Sequence, residues 1–136
     1  MTLRVLAAVG VLVSAAVHLK LWWVDGFRDI AVIGPSFLLN AIAGVVIAVL
    51  LLAWRHWVPL VLAIGFGAAT LGAFVISATV GLFGVHEVWT GAAVLSAAAS
   101  EVLAIVAGAL ALWREKPWAA REPLRGEAQV GGARLR

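Results

Sequence analysis

Glu101 is the side chain with the most chemical potential in this chain, because it stands alone in a long apolar run. It lies 13 residues after Val88 and 12 before Trp113, roughly 18 to 20 Å from either end of a helix spanning that run. That depth is the middle of a bilayer. An ionisable group there costs about 2.5 to 3.5 kcal/mol on insertion scales, so it is expected to face protein or water and to act as a charge-changing group. His18 and Asn40 each lie about 9 Å inside the outer end of their own runs, and Ser77 lies at the same depth in a third. His86 and Glu87 stand above them at the rim. From outside inward the order is Glu87 and His86, then His18, Asn40 and Ser77, then Glu101. The inner halves hold Ala, Val, Leu and Ile, with Thr70 the main exception. These residues describe an outward-open polar half-pocket rather than a through-pore.

Other chemistries fail on residue type or spacing. The chain has no cysteine, which removes disulfides, thiolate metal sites and cysteine nucleophiles. Haem held between His18 and His86 would need the two rings level, yet their depths differ by about 9 Å. His18, His86 and Glu87 have no metal-ligand spacing such as HExxH, so no metal and no cofactor is expected. Glu87 and Glu101 are about 21 Å apart along a helix and make no carboxylate pair. Phosphate loops and GxSxG elbows are missing. The chain is therefore expected not to be an enzyme.

The elements that position these residues follow from hydropathy. Of the 136 residues 64% are hydrophobic and 12% charged, and the mean hydropathy is +1.07. A water-soluble domain is excluded. Apolar runs at about 5–24, 30–54, 58–83 and 88–113 are each long enough to cross hydrocarbon. The short links around Asp25–Asp29, Arg55–Trp57 and Gly84–Glu87 force sequence neighbours to be antiparallel neighbours in space. The fold class is thus all-α, an up-down-up-down four-helix bundle in one domain, 1–113. The basic stretch 114–136 follows as a solvated, disordered tail.

Arg4, Arg55, Arg114, Lys116, Arg121, Arg125, Arg134 and Arg136 fall on one side, against Lys20 and Arg28 on the other. The positive-inside rule makes both termini cytoplasmic. All seven tryptophans fall at or just beyond span ends, where amphipathic rings prefer to sit. The net charge of +3 is accounted for by topology and lipid headgroups, so the bilayer, not nucleic acid, is the expected partner. Residues 1–16 carry the marks of a signal peptide, but hydrophobicity continues to Val24 and predicts a retained span.

Lipid gives helices no hydrophobic reason to associate, so close backbone approach and polar contacts must do it. Small residues at four-residue steps mark the contact lines. They are Gly10, Ser14, His18 in the first span and Ser36, Asn40, Gly44, Ala48 in the second. The third offers Gly65, Ala69, Ala73, Ser77, Gly81 and the fourth Ala92, Ser96, Ser100, Ala104, Gly108. The last two are expected to face each other, and a four-residue step favours right-handed crossings. Lys20 is expected to snorkel to headgroups, while Asp25, Arg28 and Asp29 pair among themselves.

The stretches His18 to Trp22, Gly26 to Asp29, Ile33-Gly34-Pro35, Asn40 to Gly44 and Gly81 to Gly84 before Glu87 carry a family likeness. Across the membrane region the chain resembles a family of small, uncharacterised bacterial four-span membrane proteins, and more loosely DoxX-type four-helix proteins. The resemblance implies an inner-membrane location and no functional residue. The expected function is non-enzymatic binding of a small apolar ligand, a lipid or a partner subunit through the half-pocket. The alternative is a proton-coupled transporter or channel, as a homo-oligomer, with Glu101 titrating.

Overall fold

A computed structural model describes residues 1–115 and Pro117. The described residues form four α-helices: α1 (Thr2–Trp23), α2 (Ile33–Ala53), α3 (Val58–Thr79) and α4 (Ala92–Glu115), with one 3-10 turn, Phe27–Asp29, before α2. Each helix is long and apolar enough to cross a membrane. The result is an all-α, multi-pass bundle, and most of its large apolar side chains are turned outward, as a lipid-facing surface requires. Pro35 and Pro59 sit in the first turns of α2 and α3, where the missing N–H has no intrahelical partner to lose. All tail residues from 118 onward lie outside the described residues.

α1 is the hub. It packs closely on α2 and α4, α3 leans on α4, and α2 and α3 touch only lightly. The buried positions of α1 are Arg4, Ala7, Ala8, Val11, Ser14, Ala15 and His18, with Gly10 beside them. Those of α4 are Ser100, Glu101, Ala104, Ala107, Gly108 and Ala111. Both recur on a seven-residue period, the repeat of left-handed packing, rather than on the four-residue step read from the small residues alone.

The pairing of the small-residue lines also differs from expectation. Ser100 and Ala104 of α4 receive Gly10 of α1, where a Cβ would come within 2.7 Å of the Ser100 carbonyl oxygen. α3 meets α4 through Gly67, whose Cβ would lie 2.8 Å from the Glu101 carbonyl oxygen, while Gly65 faces open space. The cause is angular: Gly65 and Gly67 stand about 200° apart around the helix, and only one can face α4. Gly65→Ala and Gly72→Ala, both with nothing within 4 Å of the added carbon, are therefore expected to stabilise the bundle by about 0.5 to 1 kcal/mol each through helix propensity. Unfolding by denaturing detergent would measure this, and a loss comparable to that from Gly67→Ala would contradict the assignment of faces.

The third and fourth spans are shorter at their shared end than hydropathy suggested. α3 stops at Thr79 and α4 starts at Ala92. Between them Leu82 and Val85 exchange two backbone hydrogen bonds of 2.9 Å around Phe83 and Gly84, both at positive φ, 50° and 81°. Positive φ at both central residues is the signature of a type I′ hairpin turn. Hydropathy cannot see this break, because Val80, Leu82, Phe83 and Val85 are as apolar in a turn as in a helix.

At the N-terminal end Arg4 is 4% exposed. Its guanidinium donates to both carboxylate oxygens of Glu115, at 2.8 and 2.6 Å, and to the carbonyls of Trp54 and His56, at 3.2 and 2.7 Å. One side chain thus ties the start of α1 to the end of α4 and to the α2–α3 link. At the opposite end Lys20 pairs with Asp25 at 2.7 Å and Arg28 approaches Asp29 at 3.7 Å. Lys20 therefore has a fixed partner instead of simply reaching toward headgroups, because the end of α1 turns back through Asp25 within reach of its ammonium.

Candidate functional site

Where α2 and α3 diverge, a cavity of about 370 Å³ opens in the half of the bundle away from the N-terminus. All four helices line it: His18 and Leu21 of α1, Ser36, Phe37 and Asn40 of α2, Thr70, Phe74 and Ser77 of α3, and Ala97, Ala98 and Glu101 of α4. The 82–85 turn contributes Leu82, Phe83 and Val85 to its wall, and Glu87 follows at the rim. The volume lies within the range of small-ligand sites.

Glu101 forms the floor and is 2% exposed. Its Oε1 accepts a hydrogen bond of 3.2 Å from the Ser14 hydroxyl. This contact follows from the close approach of Gly10 to α4 one turn earlier, which brings the Ser14 side chain against the acid. His18, one turn after Ser14, points its Nδ1 at the Ser14 carbonyl oxygen at 2.8 Å. A carbonyl can only accept, so Nδ1 carries a proton, and in the neutral ring Nε2 is then the lone-pair nitrogen. The ring is held edge-on by Phe37, with centroids 5.0 Å apart, and Phe37 packs in turn on Phe27.

Asn40 does not join His18. Its Nδ2 donates to the Thr70 hydroxyl at 2.9 Å, and that hydroxyl donates to the Phe66 carbonyl at 2.8 Å. Because Thr70 spends its proton on Phe66, it can only accept from Asn40, which fixes the orientation of the amide. Among the described residues Asn40 Oδ1 is then left buried with no hydrogen-bond partner. Ser77 lines the cavity, but its hydroxyl donates to the Val85 carbonyl at 2.9 Å and fastens the 82–85 turn to α3.

Of the six residues singled out by sequence, five thus border one cavity: Glu101, His18, Asn40, Ser77 and Glu87. His86 does not line it. Its exposed ring lies over Gly81, where a Cβ would come within 2.5 Å of Nε2. Ser14 and Thr70 are the participants that sequence reading placed elsewhere. Ser14 stood on a packing line and Thr70 in the inner half, and in each case the partner lies on another helix, so no local spacing could have revealed it. Among the described residues no group of three or more His, Cys, Asp or Glu side chains could hold a metal ion. Comparison of the chain with family models, with curated proteins and with solved structures gave no significant match.

Proposed function

We propose that this chain is a non-enzymatic bundle of the bacterial inner membrane that binds one small, largely apolar ligand or lipid in the cavity above Glu101. The observation that carries the reading is the combination of an aromatic and aliphatic wall with a few convergent polar groups at a closed floor. Below Glu101 the described residues pack Val11, Leu51, Leu60, Ala63, Ala104 and Ala107 into one buried cluster. That closure favours binding over passage. With Arg4, Arg55 and Arg114 at the end opposite the cavity, the positive-inside rule puts both termini in the cytoplasm and turns the cavity mouth outward.

Native mass spectrometry after mild extraction is the direct test. The wild-type chain is expected to retain a small-molecule or lipid adduct, and Ala97→Phe, which fills the cavity from α4, is expected to lose most of it. The variant should stay folded, because the added ring enters space that is already empty and avoids the usual overpacking cost of about 1 to 3 kcal/mol. An adduct retained equally by both would place the ligand elsewhere, and its absence from every preparation would count against the reading. The proton-coupled carrier remains a separate outcome: it requires pH-driven flux in vesicles that Glu101→Gln abolishes.

A further inference from the structure

The hydrogen-bonding groups around the cavity are unequally committed, and the inequality selects a ligand. Among the described residues, the donors are largely used up by the protein itself. Ser14 gives its hydroxyl proton to Glu101, Thr70 to Phe66, Ser77 to Val85 and Ser36 to Val32. His18 gives its Nδ1 proton to Ser14, and Asn40 gives one of its two amide protons to Thr70.

The acceptors are not used up. Asn40 Oδ1 is buried with no partner among the described residues. Glu101 accepts at Oε1 from Ser14 and has its second oxygen to offer. His18 Nε2 is a lone pair in the neutral ring, and Glu87 adds a second carboxylate at the rim. Among the described residues no lysine or arginine borders the cavity, and its formally charged residues are the two glutamates. A neutral carbonyl ligand such as a quinone, or an anionic one such as a fatty acid, would bring more acceptors to a site already rich in them.

Resting on the cavity being a ligand site, we propose that its occupant is a lipophilic primary ammonium ion. The head donates to Glu101 and His18, and the apolar body lies against Phe27, Phe37 and Phe74. The N–H protons match acceptors that the protein leaves free, and the positive charge matches Glu101. Burial makes the match selective, since a polar group held there without its partner loses its hydration for nothing.

Equilibrium dialysis of the full chain in nanodiscs of zwitterionic lipid tests the class with four probes of one shape. These are 2-(2-naphthyl)ethylammonium, its trimethylammonium analogue, the corresponding alcohol and the corresponding carboxylate, each corrected for uptake by empty discs. The primary ammonium is expected to bind at least about tenfold more tightly than the alcohol and the trimethylammonium analogue. This is the discrimination that one or two charge-assisted hydrogen bonds supply. The carboxylate is expected not to bind measurably. Glu101→Gln should remove most of the preference for ammonium over alcohol. Equal binding of ammonium and alcohol, or preference for the carboxylate, would overturn the ammonium assignment and leave the cavity standing as a ligand site. No probe bound above empty discs, in a preparation that also carries no adduct by native mass spectrometry, would overturn both. The comparison among probes on the wild-type chain decides the matter even if the Gln variant does not fold.

Discussion

Gly10→Val is expected to cost the bundle about 3 kcal/mol and to separate α1 from α4. A carbon added at Gly10 would sit 2.7 Å from the Ser100 carbonyl oxygen and 2.8 Å from the Ala104 nitrogen. Both obstacles are backbone atoms of a helix, and neither can rotate away. Overpacking penalties run about 1 to 3 kcal/mol where a side chain can yield, so this position belongs at the upper end. The damage should reach the cavity as well. Ser14 lies one turn further along α1, and its 3.2 Å bond to Glu101 depends on the same approach. The variant should therefore unfold at a lower fraction of denaturing detergent than wild type and lose its bound adduct. Wild-type unfolding by Gly10→Val would refute the close approach of the two helices, and Gly65→Ala is the matched control for a glycine in open space.

Arg4→Met is expected to destabilise by about 2 to 3 kcal/mol, the next largest effect. Arg4 is 4% exposed and Glu115 is 39% exposed, so the two ends of this ion pair are desolvated unequally. Water can still reach Glu115 after the guanidinium is lost, which discounts the full penalty of about 3 to 5 kcal/mol for breaking a buried pair. The carbonyls of Trp54 and His56, however, also lose their donor, and each such group adds to the cost. Arg4→Lys should recover only part of the loss, since an ammonium cannot repeat the two-pronged contact with Glu115 and reach two carbonyls as well. Glu115→Gln should cost less than Arg4→Met, because it leaves the carbonyl contacts intact. If all three variants unfold like wild type, the clasp contributes nothing to stability.

The two sites are linked by α1. Along one face this helix carries Arg4, the Gly10 contact, Ser14 and His18, so it anchors the closed end of the bundle and supplies two of the polar groups at the open end. This arrangement explains why the most damaging substitutions are expected on α1 rather than on the helix that carries Glu101. It also predicts a hierarchy: Arg4 variants weaken the bundle with the cavity groups still in place, whereas Gly10 variants weaken both together.

How much of this was legible in the sequence differs from element to element. Four spans and their antiparallel order follow from run length and link length, because hydrocarbon thickness leaves little choice. The depth of Glu101, His18 and Asn40 was read from the fixed rise of a helix, and all three border one cavity. Their partners were not legible. Which of Gly65 and Gly67 meets α4, and whether Asn40 finds His18 or Thr70, depends on the rotation of each helix about its axis. Rotation is set by contacts with two or three neighbours at once, and an Ala- and Gly-rich chain offers several near-equivalent lines of small residues.

The sequence by itself therefore determined the class and the number of helices long enough to cross a membrane, since these are one-dimensional quantities governed by hydropathy and rise per residue; the level of Ser77 shifted once α3 ended at Thr79. The tertiary structure alone decided that the third span ends at Thr79, that the 82–85 turn joins the cavity wall, that Arg4 closes one end, and that the donors are spent while the acceptors stand free. Those are matters of which atoms meet, and hydrogen bonding acts over about 3 Å between groups that the chain separates by up to 111 residues.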